Sequence, residues 1–137
     1  MSMHELALVD LVDESLLRCQ VMTWTDGETY ELRLNGAGVS PVRVLSSVDF
    51  EDGLRQLRAE LERRNLLLLC NRYRRDAFVS SMSCQMSEGL SCYLVVAGEP
   101  VSPELLVDSL GAAFRGDVVT AEEASKFIGE WIAGFDD

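Results

Sequence analysis

The first half of the chain alternates apolar and polar residues with the two-residue period of β-strands. Between two of these segments, Asp26-Gly27 is typical of a type I′ turn, because glycine readily adopts positive φ. After this turn, Tyr30, Leu32 and Leu34 fall on one face, which indicates a half-buried antiparallel strand, and a second turn at 35–38 ends it. The strands predicted here span residues 6–12, 16–25, 29–34 and, at an edge, 42–45.

A single apolar stripe predicts a helix over residues 50–64. The stripe has helical spacing and consists of Phe50, Leu54, Leu57 and Leu61. Asp49 precedes it as an N-cap, and acidic residues follow in the first turn, where the helix dipole favours negative charge. Two well-oriented i,i+4 ion pairs are predicted to support the helix, Glu51–Arg55 and Glu60–Arg64.

The chain after this helix predicts three more strands. Residues 66–70 form a continuous apolar run, which indicates a central strand covered on both faces. Residues 77–82 predict a weaker strand and residues 90–97 a stronger one. The polar residues 83–89 are predicted to connect them.

Two further helices are predicted towards the C-terminus. Ser102-Pro103 is an N-cap followed by proline at the first helical position, with an apolar stripe of Leu106, Leu110 and Ala113. A capping box at residues 120–123 opens the last helix. Its apolar positions are Ala124, Phe127, Ile128, Trp131 and Ile132. We expect this helix to pack on the sheet, although a dimer or partner groove is recognised through the same spacing.

Strands, a helix, more strands and then helices together predict an α+β fold. We expect a single-layer antiparallel or mixed sheet of four to six strands, with the helices packed mainly on one face. The length of 137 residues favours one domain over residues 1–137.

Charge is distributed in blocks along the chain. Residues 54–78 hold seven of the 12 basic residues, whereas residues 1–53 carry a net charge of −7 and residues 79–137 carry −8. The total of −11 argues against binding to nucleic acid or to anionic membranes, and it favours a basic protein partner. The N-terminus lacks a positively charged start, and no apolar run is long enough for a membrane span, so a cytoplasmic location is expected.

The residue types that carry catalysis are sparse. His4 is the one histidine, and it lies next to a terminus, so a Ser–His or Cys–His nucleophile is not expected. The cysteines lack metal-binding spacing and are expected as thiols, three of them in the core: Cys19, Cys70, Cys84 and Cys92. Clustered carboxylates, including Asp136-Asp137, are explained by helix caps or by the chain end. We predict no enzyme activity, no cofactor and no metal.

Three arginines surround a tyrosine within residues 71–76, namely Arg72, Arg74 and Arg75 around Tyr73. Such a cluster can contact phosphate or RNA. The acidic chain instead favours ion pairs within the protein or with a protein partner, since arginine is enriched at interfaces.

Two methionines, Met82 and Met86, lie in the serine-rich segment that follows. Methionine adapts to partner surfaces, and it also fills irregular gaps beneath loops. Gap filling is the favoured interpretation.

Residues 66–96 resemble a segment of small bacterial proteins that carry an Arg-Asp-aromatic-Pro-Ser-Gly-Met pattern followed by a glycine-rich turn. Here the pattern reads through Arg75-Asp76 to Met82, with Val79 in the place of proline and Ser81 in the place of glycine. By size and charge the chain also looks like the immunity proteins of polymorphic toxins. That analogy implies a non-enzymatic protein that binds a toxin.

The leading hypothesis is therefore an immunity protein that occludes the active site of a cognate toxin, with an acidic face over a basic cleft. The predicted partner-binding residues are Asp26, Glu28, Arg72, Tyr73, Arg74, Arg75, Asp108, Asp117 and Glu130. The alternative is an acidic dimeric secretion chaperone for an effector, and a small enzyme or ligand-binding module is a third, weaker hypothesis. The oligomeric state is left open.

Overall fold

The structure, a computed structural model, describes residues 1–36 and 38–134 and contains both sheets and helices, so the predicted α+β class is confirmed. Ala37, in the predicted second turn, and Asp136-Asp137 lie outside the described residues. The chain divides into two compact units, Met1–Leu69 and Cys70–Asp137. The single domain over residues 1–137 stays a prediction.

The first unit contains an antiparallel sheet of five strands in the order β4-β3-β2-β1-β5. The strands are β1 (Ser2–Asp10), β2 (Leu16–Thr25), β3 (Tyr30–Gly36), β4 (Val39–Ser46) and β5 (Leu66–Leu68). This size is within the predicted range, and β4 lies at an edge as predicted. The β5 segment was predicted to be central, but it lies at the opposite edge, because an apolar run reports burial and not position within a sheet.

The β2–β3 hairpin forms as predicted, with a different turn. Gly27 has a φ of +91°, whereas Asp26 is not among the described residues with positive φ, so the type I′ prediction, which requires positive angles at both of these central residues, is wrong. The carboxylate of Asp26 accepts the main-chain N–H groups of Glu28 at 2.9 Å and Thr29 at 2.7 Å. The aspartate therefore stabilises the loop tip.

Helix α1 (Phe50–Arg63) covers one face of this sheet, and its predicted features are confirmed. Asp49 accepts the N–H of Asp52 at 2.8 Å as the N-cap. The predicted stripe is buried throughout: Phe50, Leu54, Leu57 and Leu61. A Cβ on Gly53 would lie 3.2 Å from Leu32, which shows how closely the helix approaches β3. Glu51 pairs with Arg55 at 2.8 Å, as predicted.

The second unit contains a small antiparallel sheet in the order β6-β7-β8. Its elements are β6 (Ala77–Phe78), α2 (Ser81–Ser87), β7 (Ser91–Leu94), β8 (Leu106–Asp108) and α3 (Ala121–Ala133). The predicted strand at 77–82 is therefore shorter, and the predicted polar connection is helix α2. Ser80 caps this helix by accepting the N–H of Ser83 at 3.0 Å, a signal that the serine-rich composition obscured.

The predicted helix after Ser102-Pro103 is wrong. Proline starts only a 3-10 turn, Pro103–Leu105, and the chain then enters β8. There Val107 pairs with Cys92 of β7, so sheet pairing outweighs the local helix signal.

Helix α3 is confirmed, with Thr120 accepting the N–H of Glu123 at 3.3 Å. Trp131 is buried and donates its indole N–H to the carbonyl of Glu99 at 2.8 Å. Its ring also packs against Phe78 of β6, with 5.3 Å between centroids. Ile132, however, stays 48% exposed, so only part of the predicted stripe is used for packing.

Cys19, Cys70 and Cys92 are buried, which confirms their predicted place in the core, and Cys84 is half-buried. Burial raises the pKa of the Cys19 thiol to about 11, so this group stays protonated at neutral pH. Within the described residues, none of the helices is long and apolar enough to cross a membrane.

We expect Leu54→Ala to destabilise the first unit by about 2–5 kcal/mol, because Leu54 is fully buried beneath the sheet. Urea unfolding followed by circular dichroism measures the change. Leu16→Ala is the matched control, since Leu16 is 63% exposed and its truncation should change stability little. Equal effects of the two substitutions would contradict the assigned core.

Candidate functional site

The sheet of the first unit has a second face, opposite α1, which we call the outer face. Strand register places its side chains in cross-strand rows. One row contains Trp24, Glu31 and Leu45. The neighbouring row contains Met3, Met22, Arg33 and Arg43.

This face exposes large apolar side chains at its β2–β4 end. Trp24 is 43% exposed and Leu45 is 47% exposed. They line a groove of about 510 Å³ together with Met1, Met22 and a cluster formed by Glu31, Arg33 and Arg43. The exposure is local, because Val9 and Leu67, on the same face nearer β5, are buried.

A buried carboxylate occupies the centre of the groove. Glu31 is only 7% exposed, contacts Nε of Arg33 at 3.2 Å and accepts a hydrogen bond from Nε of Arg43. The hydrogen bond from Arg43 lowers the pKa of Glu31 below its usual value, against the opposing effect of desolvation, and the charge of Arg33 adds to the lowering. The carboxylate is therefore ionised at neutral pH.

A polar recess continues the outer face beside this groove. It has a volume of about 740 Å³, and Glu5, Arg18, Gln20 and Asn35 are among its lining residues. The outer face thus changes from apolar to polar along β2.

The predicted arginine cluster of the second unit is largely occupied by internal contacts. Arg74 forms two hydrogen bonds of 2.9 Å with Asp76 and lies 3.6 Å from Asp117. The bonds to Asp76, together with both carboxylate charges, raise the pKa of Arg74. Tyr73 is only 2% exposed, so its side chain is not on the surface. The sequence favoured ion pairs either within the protein or with a protein partner. Arg74 forms its ion pairs within the protein.

Arg72 and Arg75 differ from Arg74. Arg75 is exposed and lies over the ring of Phe127, 5.5 Å from its centroid. Arg72 is half-buried, and its main-chain N–H donates to the carbonyl of Ser109 at 3.0 Å.

The predicted acidic residues are divided between the two units. Asp26 and Glu28 are exposed at the β2–β3 turn, and Asp26 lines the groove on the outer face. Asp108 and Glu130 are exposed in the second unit, whereas Asp117 is half-buried near Arg74. Their role in binding a partner stays a prediction.

Met82 and Met86 lie four residues apart on α2 and are 66% and 72% exposed. The favoured prediction that they fill gaps beneath a loop is therefore wrong. The helix presents both side chains to solvent.

The sequence interpretation missed the outer face as a site. Alternation in β3 places Glu31 and Arg33 on the face opposite Tyr30, Leu32 and Leu34, as the structure shows, but alternation within one strand does not reveal which side chains of β2 and β4 lie beside them. The sequence signal for this site was that Met22, Trp24 and Leu45, which are large and apolar, occupy the same face as Glu31 and Arg33.

Comparison with known protein families and with curated proteins finds no match to this chain. The resemblance to immunity proteins accordingly stays a prediction. No group of three or more His, Cys, Asp or Glu side chains is placed to hold a metal ion within residues 1–36 and 38–134.

We expect Glu31→Gln to destabilise the protein by roughly 1 kcal/mol at pH 7, because two opposed arginines would lose their shared anion. The folded-state pKa of Glu31 is lowered, so its stabilisation is complete above the usual value of 4.5 and disappears as the pH falls through the folded pKa. Urea unfolding measures the free energy of unfolding of the wild type and of Glu31→Gln at pH 7 and below pH 4.5. The difference between the two proteins should be smaller at the acidic pH.

Glu5→Gln is the control for this prediction, since Glu5 is exposed on the same face and makes no ion pair among the described residues. A Glu31→Gln effect that is no larger than the control would show that the cluster does not stabilise the sheet.

We expect Arg74→Ala to destabilise the second unit by about 1–3 kcal/mol, since it removes two hydrogen bonds between charged groups. Arg75→Ala should cost less, because this arginine is exposed and its assigned side-chain contact is with the ring of Phe127. Thermal unfolding of both variants checks the difference. The reverse order would contradict a structural role for Arg74.

Proposed function

We propose that this chain is a non-enzymatic protein-binding protein, and specifically an immunity protein that neutralises a toxin by occluding its active site. The single observation that carries the proposal is the exposed apolar groove on the outer face, around Trp24 and Leu45. A cytoplasmic location is part of the same proposal.

The composition of the groove supports a protein partner. Tryptophan, methionine and arginine are enriched in protein interfaces. Tryptophan and arginine are also among the residues that most often dominate the binding energy. Here Trp24, Met22 and the Arg33–Arg43 pair lie in two neighbouring cross-strand rows of one sheet. A sheet face that only contacted water would gain nothing from displaying these apolar side chains together.

The β4 edge of the sheet is a poorer binding surface than the outer face. Along β4, the carbonyl of Ser40 accepts a hydrogen bond from Arg64 at 2.8 Å, and that of Leu45 accepts one from Gln56 at 3.1 Å. Pro41 lacks an N–H altogether. These features restrict the addition of a further strand, which is the mode that a secretion chaperone would use at this edge.

The acidic surface supports a basic toxin as the partner. The chain carries a net charge of −11, and Asp26 and Glu28 lie at the turn beside the groove. The main-chain hydrogen bonds from Thr29 and Glu28 lower the pKa of Asp26, so this carboxylate stays charged near neutral pH. Long-range attraction would then speed the encounter with a cationic active-site cleft.

The direct experiment is co-purification with the product of a neighbouring toxin-like gene. We expect Trp24→Ala to weaken binding at least about tenfold in a calorimetric titration, the size typical of a central aromatic contact. Phe114→Ala is the matched control, because Phe114 is an exposed aromatic of the second unit at 82% exposure. Unchanged affinity for Trp24→Ala would show that the groove is not the binding surface.

Ionic strength tests the electrostatic part. We expect the association rate with the toxin to fall as salt rises from about 0.05 to 0.5 M, and the fall should be smaller for Glu28→Gln. Stopped-flow mixing measures both rates. A rate independent of salt would contradict electrostatic attraction, and a tight homodimer in sedimentation would favour the chaperone alternative.

A further inference from the structure

The two arginines of the groove carry an unbalanced positive charge. Arg33 and Arg43 are directly opposite each other on β3 and β4, an arrangement that is unfavourable for like charges. Glu31 is the one carboxylate that pairs with either of them among the described residues. Within this cluster, two cations and one anion leave an excess of one positive charge, and Asp26, which also lines the groove, forms no ion pair with either arginine among the described residues.

The geometry leaves the ends of both arginines available. Glu31 contacts each guanidinium through Nε, and the Nη groups of Arg33 and Arg43 make no hydrogen bond to any described residue. The two side chains are 50% and 60% exposed. A guanidinium presents its Nη donors in a planar fork that matches a carboxylate.

Apolar side chains lie beside these donors. Trp24 and Leu45 occupy the cross-strand row of Glu31, immediately next to the row of Arg33 and Arg43. A partner that covered them would exclude water from the arginines and strengthen the contact with an anion.

We propose that the groove binds a segment of the partner protein in which an acidic residue is flanked by apolar residues. The carboxylate lies between Arg33 and Arg43, and an apolar side chain packs on Trp24 and Leu45. This subsite rests on the proposed function and deepens it, since it adds an acidic contact to the recognition of an otherwise basic toxin.

A protein carboxylate fits this site better than a nucleic acid. The whole chain carries −11, and Asp26 lines the same groove, so a polyanion would be repelled on approach. A single carboxylate matches the single excess charge of the cluster formed by Glu31, Arg33 and Arg43.

The test is a nuclear magnetic resonance titration with the peptide acetyl-Gly-Leu-Glu-Leu-Gly-amide and its glutamine twin. We expect the glutamate peptide to shift the Trp24 indole N–H and the Nε–H signals of Arg33 and Arg43, and to bind at least about fivefold more tightly than the twin. The Trp131 indole is an internal control, because it donates to Glu99 and should not move.

Variants separate recognition from structure. Arg33→Gln and Arg43→Gln should each abolish the preference for glutamate, whereas Glu31→Gln should increase it, since it raises the local charge excess. A purely structural cluster would not give these opposite directions. Equal binding of the two peptides, no shift at Trp24 at about 10 mM peptide, or stronger shifts with a thymidine oligonucleotide would each overturn the subsite.

The outcome is also distinguishable from failure of the proposed function. If the peptides fail but Trp24→Ala still weakens binding of the toxin, the subsite is wrong and the groove remains the interface. If Trp24→Ala binds the toxin normally, the groove is not the interface, whatever the peptides do.

Discussion

The first unit depends on the packing of helix α1 against one face of a five-stranded sheet. Leu54 and Leu57 are fully buried, and Gly53 allows the helix to lie close to Leu32. One amphipathic helix has a single apolar stripe, so it can cover only one face of a sheet. The β2–β4 end of the opposite face therefore stays exposed. Packing against α1 does not explain why its side chains are apolar.

The ion cluster of Glu31, Arg33 and Arg43 lies on that exposed face. A buried carboxylate between two arginines is satisfied only while both side chains hold their positions, so it orders the centre of the groove. The same arrangement leaves a positive excess at the surface. In the proposed subsite, stabilisation and recognition use the same three side chains, in contrast to Arg74, whose charge is compensated by Asp76 and Asp117.

Elements with strong local signals could be predicted from the sequence. The stripe and N-cap of α1, the alternation of β3 and the Thr120 cap of α3 agree with the structure. Distant partners decided some misassigned elements, such as β8, whose pairing with β7 overrode a proline helix start, whereas the local cap of α2 at Ser80 was obscured by the serine-rich composition. Strand order could not be predicted either, because the burial of residues 66–68 is compatible with a central or an edge position.

The candidate site was hidden for a related reason. Its residues come from β2, β3 and β4, and only strand register places Trp24, Glu31 and Leu45 in one row. The arginines at residues 72–75 form a cluster that is visible in the sequence because they are adjacent, yet adjacency in the chain also lets Arg74 reach Asp76. Asp76, two residues from Arg74, compensates its charge, whereas Arg33 and Arg43 face each other across strands and share the one carboxylate of Glu31. The charge used by the proposed subsite therefore lies in a cross-strand row and not in a run of the sequence.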